Sequence, residues 1–322
     1  MAQITYHASH EQHAPSALLQ FAVAAEQAGF TAIHCSDHFH PWSERQGQSG
    51  YSFAWIAAAL QATKVPISMV CAPGQRYHPA IVAQAIATIA EMFPGRYSVE
   101  LGSGEALNEC ITGEVWPQKA ERNARLLECA DVIRRLLKGE LVNRTGRVTV
   151  KEAKLYTLPT VQPPLMVAAL TEATASWAGA WADGLITVAG DDEQMEKMIS
   201  AFRNNGGADK PIYVQMAFSY ARSEKEALEV AFDQWRTNFF SPEVLNELSK
   251  PTQFDSAATY MRPEDLEEKM LISASTEECL KYIQHYVDLG FDRVILHNVN
   301  RDQELFLQDF KDKVLPHIRL PQ

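Results

Sequence analysis

Ionisable and aromatic side chains follow directly after a short apolar run in the stretch Thr31–Trp42, TAIHCSDHFHPW. The run includes Ile33 and is typical of a buried strand, whereas Pro41 prevents a regular continuation. The side chains after the strand include Asp37, His38, Phe39, His40 and Trp42. An imidazole titrates near neutral pH and suits proton transfer. Because the loops after the strands of a closed parallel barrel converge on one cavity, the stretch predicts the rim of an active site.

A second stretch whose residues could take part in catalysis or binding is 99–109, VELGSGEALNE. Its Gly102-Ser103-Gly104 turn allows a close approach to the backbone, and Glu105 follows at the start of a predicted helix. On a barrel, Glu105 and His38 would lie at the same mouth. Two plainer interpretations stay open: Glu105 as a first-turn acid that interacts with the helix dipole, and His38 as a packing histidine.

The third stretch is 70–79, VCAPGQRYHP, in which Pro73-Gly74 predicts a turn. Tyr77 and Pro79 are consistent with packing at a helix entry. Arg76 instead suggests an anion-binding side chain, because a guanidinium at a barrel mouth suits that role.

The elements that must position these residues alternate along the chain. The predicted strands are 4–7, 31–36, 66–71, 97–101, 165–168, 184–188, 211–218 and 293–297, and the predicted helices are 15–27, 52–62, 79–93, 119–137, 172–182, 193–204, 224–232, 276–289 and 302–314. Eight parallel strands separated by helices are what a (β/α)₈ TIM barrel requires. A doubly wound sheet is the competing fold, but Leu107 stands where a GxGxxG fingerprint needs its third glycine.

We predict one barrel domain over residues 1–322 with two interruptions. Residues 138–164 suggest a hairpin excursion that turns at Thr145-Gly146. Residues 234–264 lose the alternating pattern and suggest a long, partly helical insertion that helps to close the pocket.

Composition limits the partners. Of the 322 residues 46% are apolar, and no window is apolar for long enough to span a membrane. A net charge of −11 without a cluster of basic residues disfavours nucleic acid. The five cysteines are scattered, which favours packed thiols over bridges or zinc ligands. The N-terminus lacks the features of a signal peptide, so we expect a cytoplasmic protein.

Two predicted helices, SFAWIAAALQA near 53–62 and PAIVAQAIATIAEMF near 79–93, are apolar nearly all the way round. A helix that covers a barrel in a monomer should carry a polar outer stripe. We therefore expect a homodimer through these helices. The alternative is that the insertion near 234–264 covers them.

Three motifs, SDHFHPW, RYHPAIVAQAIATIAEMFPGR and GSGEALNE, together resemble the luciferase-like flavin monooxygenase superfamily. The resemblance spans nearly the whole chain and is strongest to the branch of the deazaflavin (coenzyme F420)-dependent glucose-6-phosphate dehydrogenases. It implies a (β/α)₈ barrel, usually dimeric through the second and third helices, with a flavin or deazaflavin at the mouth.

The resemblance also implies roles for individual residues. His38 matches the base that removes the hydroxyl proton during hydride transfer, Glu105 matches the acid that protonates the ring, and Trp42 matches the tryptophan that shields it. Positions that match cofactor contacts are Asp37, Met69, Val70, Ala72, Gly104, Asn108, Ala169, Leu170 and Thr171, and the Met69–Val70 bond matches a position that can be cis. Positions expected at the substrate are His40, Arg76 and Lys269.

The chain departs from this branch at two places. The substrate-phosphate positions hold Asp191, Ser256 and Lys269, so a phosphorylated sugar is disfavoured. The cofactor-phosphate loop holds Ala169-Leu170-Thr171 where the relatives have a glycine pair. The phrase HPWSERQGQSG resembles a sub-branch that uses ordinary flavin. We therefore expect FMN, with coenzyme F420 as the alternative, and hydride exchange with a small organic substrate, with oxygen as a possible co-substrate.

Other classes of function remain to be weighed. His38-Phe39-His40 is an HxH pair of the kind that binds zinc in barrel hydrolases, but no accompanying carboxylate ligand is evident beside His297. His10-Glu11-Gln12-His13 has the wrong spacing for HExxH. No GxSxG motif supports a serine hydrolase. A flavin-binding protein without catalysis is disfavoured because His38 and Glu105 are both intact.

Overall fold

The fold was analysed in a computed structural model that describes residues 2–320, so residues 1, 321 and 322 of the predicted domain lie outside the described residues. The strands are β1 (Gln3–Ala8), β2 (Ala32–Cys35), β3 (Ile67–Cys71), β4 (Tyr97–Leu101), β5 (Val142–Arg144), β6 (Val150–Ala153), β7 (Leu165–Ala168), β8 (Leu185–Val188), β9 (Ile212–Tyr220), β10 (Leu271–Ser273) and β11 (Arg293–Asn298).

The helices follow the predicted alternation. They are α1 (Pro15–Ala28), α2 (Ser52–Ala62), α3 (Pro79–Met92), α4 (Ala106–Glu109), α5 (Lys119–Leu137), α6 (Glu172–Gly179), α7 (Asp192–Phe202), α8 (Glu224–Trp235), α9 (Pro242–Glu247), α10 (Pro251–Ala257), α11 (Glu264–Glu267), α12 (Thr276–Asp288) and α13 (Gln303–Lys313). Helix α7 is followed by a kink at Asn205 and Gly206, whose φ values of −114° and 101° are not helical, and the sequence pattern did not predict this kink.

Eight parallel strands close into a barrel in the order β1, β2, β3, β4, β7, β8, β9, β11 and back to β1. The closing pairs are β8 with β9, in which Leu185 faces Ile212, and β11 with β1, in which Arg293 faces Gln3. The predicted (β/α)₈ fold is therefore confirmed. Helices cover the outside because the strands' outward side chains are apolar and need a second layer.

The outer layer packs tightly against the barrel. Tyr6 of β1 contacts Phe30 and Phe306, with ring centroids 5.9 and 6.3 Å away. Helix α1 begins at Pro15, which suits a first helical position, and ends at Gly29, whose φ of 104° requires a glycine. These local signals explain why the helix bounds were predictable.

The barrel interior is polar at the level just below the mouth. His7 Nδ1 lies 2.8 Å from His34 Nδ1, and the rings of His7 and His297 lie 4.2 Å apart. His34 Nε2 lies 3.7 Å from the Glu100 carboxylate, and all four side chains are buried. Burial lowers the pKa of His7 and His34 well below the usual value, and it raises the pKa of Glu100 to about 7.

Two excursions leave the regular pattern. Strands β5 and β6 pair antiparallel within the predicted hairpin segment. After α8, the chain forms α9, α10 and α11 and then β10, a three-residue strand that the sequence did not predict. Strand β10 pairs with the end of β9, where Leu271 faces Phe218, and adds a ninth strand to the sheet.

The cis peptide bond considered for Met69–Val70 is not present, because no described peptide bond is cis. Strand β3 runs through both residues in unbroken register with β4, so that Met69 faces Val99 and Val70 faces Glu100. Within residues 2–320, no helix has the length and apolar character needed to cross a membrane.

The pKa of Glu100 generates a prediction about stability. The folded protein holds this proton more tightly than the unfolded chain, so the associated stability is complete below the unfolded pKa and is lost as the pH rises through about 7. Between about pH 5 and about pH 8, urea unfolding should show wild type losing on the order of 2 kcal/mol more than Glu100→Gln.

The matched control is Glu196→Gln, which makes the same change at an exposed position of α7 and should leave the pH dependence of wild type unchanged. Parallel pH curves for wild type and Glu100→Gln would contradict the prediction.

A candidate active site at the carboxyl ends of the strands

A cavity of about 540 Å³ opens at the carboxyl ends of the barrel strands. This volume lies within the range of small-molecule and cofactor sites. Its wall combines loops that are distant in sequence. The lining residues singled out by the sequence are Asp37, His38, Trp42, Val70, Ala72, Arg76, Gly104, Glu105, Asn108, Leu170, Thr171 and Lys269.

His38 lies between two carboxylates from different loops. Its Nε2 lies 3.5 Å from Glu11 Oε1 and 3.8 Å from Glu105 Oε2. The His38 side chain is only 13% exposed, and its ring lies 5.1 Å from that of Trp42. An imidazole flanked by two carboxylates in a cavity can accept, donate or relay a proton.

Glu11 is a member of this group that sequence reasoning missed. It follows β1, is 3% exposed, and its Oε2 accepts hydrogen bonds from Ser9 Oγ at 2.9 Å and Ser36 Oγ at 2.7 Å. Burial alone would raise its pKa, but His38 in its charged form and the Ser36 hydroxyl outweigh burial and lower it. Its position directly after the first strand was the available signal; the segment was weighed only as a zinc motif.

Glu105 behaves differently from Glu11. It is the N-cap residue of α4, and its side chain faces the cavity with 32% exposure while protein surrounds it on the other sides. That burial raises the pKa of Glu105, the neighbouring Glu11 raises it further, and His38 opposes both. The two carboxylates beside His38 therefore have pKa values pushed in opposite directions, which is a common arrangement in acid–base sites.

Asn108 connects the two loops that carry His38 and Glu105. Its Oδ1 accepts hydrogen bonds from the backbone N–H groups of Phe39, at 2.9 Å, and His40, at 3.2 Å. Its Nδ2 donates to Glu105 Oε2 at 3.3 Å and lies 3.1 Å from His38 Nδ1. The Asn108 side chain is thus held by protein groups on both of its polar atoms.

Arg76 is held by two buried carboxylates rather than left available for an anion. It lies 3.0 Å from Asp37 Oδ2 and 3.4 Å from Glu109 Oε1, and the Tyr77 hydroxyl donates to Asp37 Oδ1 at 3.2 Å. Burial raises the pKa of Asp37 and of Glu109, and the Arg76 charge opposes that rise. Arg76 therefore lines the cavity with its charge already compensated.

One wall of the cavity suits a flat aromatic ring. Val70, Ala72 and Ile186 supply an apolar surface, and the turn at Gly102–Gly104 presents backbone beside it. Gly104 has a φ of +84°, and a Cβ there would lie 2.9 Å from Glu109 Cγ. A side chain at this position would therefore collide with Glu109, so the turn beside the cavity requires a glycine here.

Several predicted site residues do not line the cavity. His40 turns away, because its Nδ1 donates to the Leu107 carbonyl at 2.8 Å. Met69 and Ala169 are buried in the hydrophobic core at 0% and 2% exposure. Asp191 caps α7 and Ser256 donates to the Thr252 carbonyl, and neither lines the cavity.

The cofactor-phosphate loop is partly closed by its own side chains. Thr171 Oγ1 caps α6 by accepting from Thr174 N at 3.3 Å, and Leu170 is 41% exposed at the cavity. Both imidazoles of the HxH pair lie beside backbone carbonyls: His38 Nδ1 lies 3.2 Å from the His40 carbonyl oxygen, and His40 Nδ1 donates to the Leu107 carbonyl at 2.8 Å. Among the side chains that the structure describes, which exclude residues 242 and 243, no three histidine, cysteine, aspartate or glutamate side chains are grouped as metal ligands.

Comparison with known proteins agrees with the geometry. A profile of the family described as luciferase-like monooxygenase matches residues 1–293. An F420-dependent glucose-6-phosphate dehydrogenase of Beutenbergia cavernae is 33% identical over 99% of this chain and 98% of its own length. The enzyme of the same name from Mycobacterium avium is 34% identical over 98% of both chains.

A solved structure is also similar over its whole length. An F420-dependent secondary alcohol dehydrogenase in complex with an F420–acetone adduct superposes with a TM-score of 0.90 at 32% identity, covering 99% of each chain.

The pairing of Arg76 with both Asp37 and Glu109 generates a prediction about stability. Replacing Arg76 by Met leaves two buried carboxylates without a counter-charge, so the free energy of unfolding should fall by about 3 to 5 kcal/mol at neutral pH. Because protonation removes the unpaired charges, the deficit should shrink as the pH falls. Urea unfolding at several pH values measures both effects.

Arg222→Met is the control, since Arg222 is 72% exposed and its pair with Asp302 spans 3.8 Å. Its effect should stay within about 0.5 kcal/mol. Equal destabilisation by the two changes would show that Arg76 has no special role.

Proposed function

The chain belongs to the luciferase-like monooxygenase family of oxidoreductases, and we propose that it is a deazaflavin (coenzyme F420)-dependent dehydrogenase of small, uncharged alcohols. The observation that carries the proposal is the placement of His38 between Glu11 and Glu105 in one cavity whose lining also includes the apolar residues Val70, Ala72 and Ile186. Relatives named as F420-dependent, matched over nearly the full length, support this cofactor better than the FMN expected from the sequence.

The chain's own residues define what the site would do. When bound, the deazaflavin ring supplies an acceptor for the hydride of the alcohol carbon. The wall of Val70 and Ala72 and the turn at Gly102–Gly104 would hold the ring, while Trp42 would help to exclude water. A hydroxyl within hydrogen-bonding reach of His38 Nε2 also lies near two carboxylates, which can receive its proton.

The charges of the cavity favour an uncharged substrate. Lys119 donates to Ser103 Oγ at 2.9 Å, and Lys269 donates to the Phe239 carbonyl at 3.1 Å. Arg76 is shared by two carboxylates. Since a phosphate needs several converging cationic donors, and Asp191 and Ser256 lie away from the cavity, a sugar phosphate fits this site poorly. An acetone-like ketone or its alcohol does not need those donors.

FMN is the second candidate because of the loop before α6. Leu170 and Thr171 stand where the relatives were expected to carry a glycine pair, and Thr171 Oγ1 already caps the helix. Glu172 in the first turn would repel the phosphate of either cofactor, so it does not discriminate between them. If FMN binds, reduced cofactor could pass electrons to oxygen, so the monooxygenase activity expected as one possibility belongs to this candidate.

Cofactor binding and turnover test the proposal together. We expect the cofactor-free protein to bind F420 at least about tenfold more tightly than FMN, a difference of about 1.4 kcal/mol, measured by fluorescence titration. With F420 bound, a simple secondary alcohol should reduce it at least about tenfold faster than glucose 6-phosphate does.

His38→Gln should slow reduction at least about tenfold while retaining F420 binding, and this separates loss of chemistry from loss of the cofactor. Tighter binding of FMN, with mass spectrometry identifying FMN in the purified protein, would select the second candidate. Binding of neither ring would reject both.

We also propose that the protein is a homodimer through α2 and α3. Ile81 and Met92 of α3 are 56% and 52% exposed in the single chain, so the segment after α8 does not cover them. Ala54 and Ala58 of α2 are exposed as well. Cytoplasmic location stays a prediction from the sequence.

Light scattering at micromolar concentration should give twice the 36.0 kDa mass of one chain. Ile81→Glu should shift the protein toward the single-chain mass, because a charge would be buried at the interface. Leu141→Glu makes the same change at another exposed residue, outside the proposed interface, and should leave the mass unchanged. A wild-type monomer would refute the dimer.

A further inference from the structure

His38 Nδ1 has two polar neighbours, and one can form a hydrogen bond only if Nδ1 is protonated while the other can do so only if Nδ1 is unprotonated. The carbonyl oxygen of His40 lies 3.2 Å away and could accept a hydrogen bond from a protonated Nδ1, whereas Asn108 Nδ2 lies 3.1 Å away and can only donate a hydrogen bond to an unprotonated Nδ1. A single nitrogen in a neutral imidazole satisfies one of them. The orientation of the Asn108 amide therefore decides which tautomer is favoured.

That orientation is fixed by three other contacts. Two backbone N–H groups, of Phe39 and His40, donate to one polar atom of the Asn108 side chain, which must therefore be the oxygen. The other polar atom lies 3.3 Å from a Glu105 carboxylate oxygen, which an N–H group satisfies and a carbonyl oxygen would not. The Nδ2 donor is thus turned toward His38 Nδ1.

The opposite edge of the ring selects the same tautomer. His38 Nε2 faces Glu11 Oε1 at 3.5 Å and Glu105 Oε2 at 3.8 Å. A lone pair on Nε2 would face two carboxylate oxygens, which are also acceptors, whereas an N–H group there could donate to either of them. With Nδ1 accepting from Asn108 and Nε2 carrying the proton, both edges of the ring are matched.

We propose that Asn108 is a positioning residue that holds neutral His38 with its proton on Nε2, so that His38 donates a hydrogen bond to the substrate oxygen and Glu11 receives the hydroxyl proton. The proposal rests on the proposed dehydrogenase function and deepens it. It replaces the role of base that the sequence suggested for His38.

Glu11 is built to receive that proton. Its Oε2 already accepts from Ser9 and Ser36, which leaves Oε1 directed at His38 and the substrate position. The alcohol's O–H bond breaks and its proton passes to Glu11, its C–H bond breaks and the hydride leaves with both electrons to the ring acceptor, and a C=O bond forms. A neutral imidazole that polarises an oxygen in this way is established chemistry in other enzymes.

The tautomer can be measured without turnover. We expect ¹⁵N NMR of the histidine-labelled full chain, with His38 assigned through the His38→Gln variant, to show Nε2 protonated and Nδ1 unprotonated once the ring is neutral. The spectra would be followed between about pH 6 and about pH 9, where an imidazole normally loses its charge. A proton on Nδ1 in the neutral ring, or a doubly protonated ring throughout, would overturn the proposal.

Asn108→Asp supplies the second measurement. The aspartate can still accept from Phe39 and His40, but it replaces the donor at His38 Nδ1 by an acceptor. The Nδ1 signal should move to the protonated position, and kcat with F420 and a secondary alcohol should fall at least about tenfold with KM changed less than about threefold.

Asn143→Asp is the matched control, since its Oδ1 likewise accepts from a backbone N–H, of Glu152 at 2.8 Å, in the distant hairpin. It should leave both the NMR spectrum of His38 and kcat unchanged. An Asn108→Asp spectrum identical to wild type would refute the role of Asn108. Absence of F420 turnover with the expected wild-type tautomer would refute the proposed function instead.

Discussion

The contact on which this structure depends is the approach of His38 Nε2 to two carboxylates that arrive from different strands. Glu11 follows β1, His38 follows β2 and Glu105 follows β4, so closure of the barrel is what brings both carboxylates within 4 Å of His38 Nε2. No short segment could build such a group. The helices, caps and core packing matter to function because they fix the ends of these strands.

Such a concentration of charge has to be compensated inside the protein. Arg76 does this for Asp37 and Glu109, and the hydroxyls of Ser9 and Ser36 do it for Glu11. The layer below is polar as well, but His7 and His34 meet that constraint by remaining neutral and sharing a contact through their Nδ1 atoms. Compensation therefore differs by depth: ion pairs lie near the mouth and neutral polar contacts lie in the interior.

The parts that could be predicted from sequence were those with a local signal. Apolar periodicity gave the strands and helices, and titratable clusters at strand ends gave His38 and Glu105. Glu11 lay at a strand end too, but its neighbours offered no motif. The buried set of His7, His34 and Glu100 could not be found, since alternate residues of a buried strand do not reveal which face is inside. The charge of Arg76 is compensated by Asp37 and Glu109, which follow other strands, and no local sequence pattern predicts that these three side chains come together.

The additional strand has a consequence for the shape of the mouth. Strand β9 pairs with β8 as far as Gln215 and with β10 only from Phe218 onward, so the sheet forks beyond the last barrel pair. Val188 at the end of β8 and Met270 just before β10 both line the cavity. Length changes in the chain between α8 and β10 could thus reshape this end of the chamber while the strand ends that carry the acid–base group keep their register. The fold thus places the acid–base group and this part of the cavity lining on separate segments of the chain.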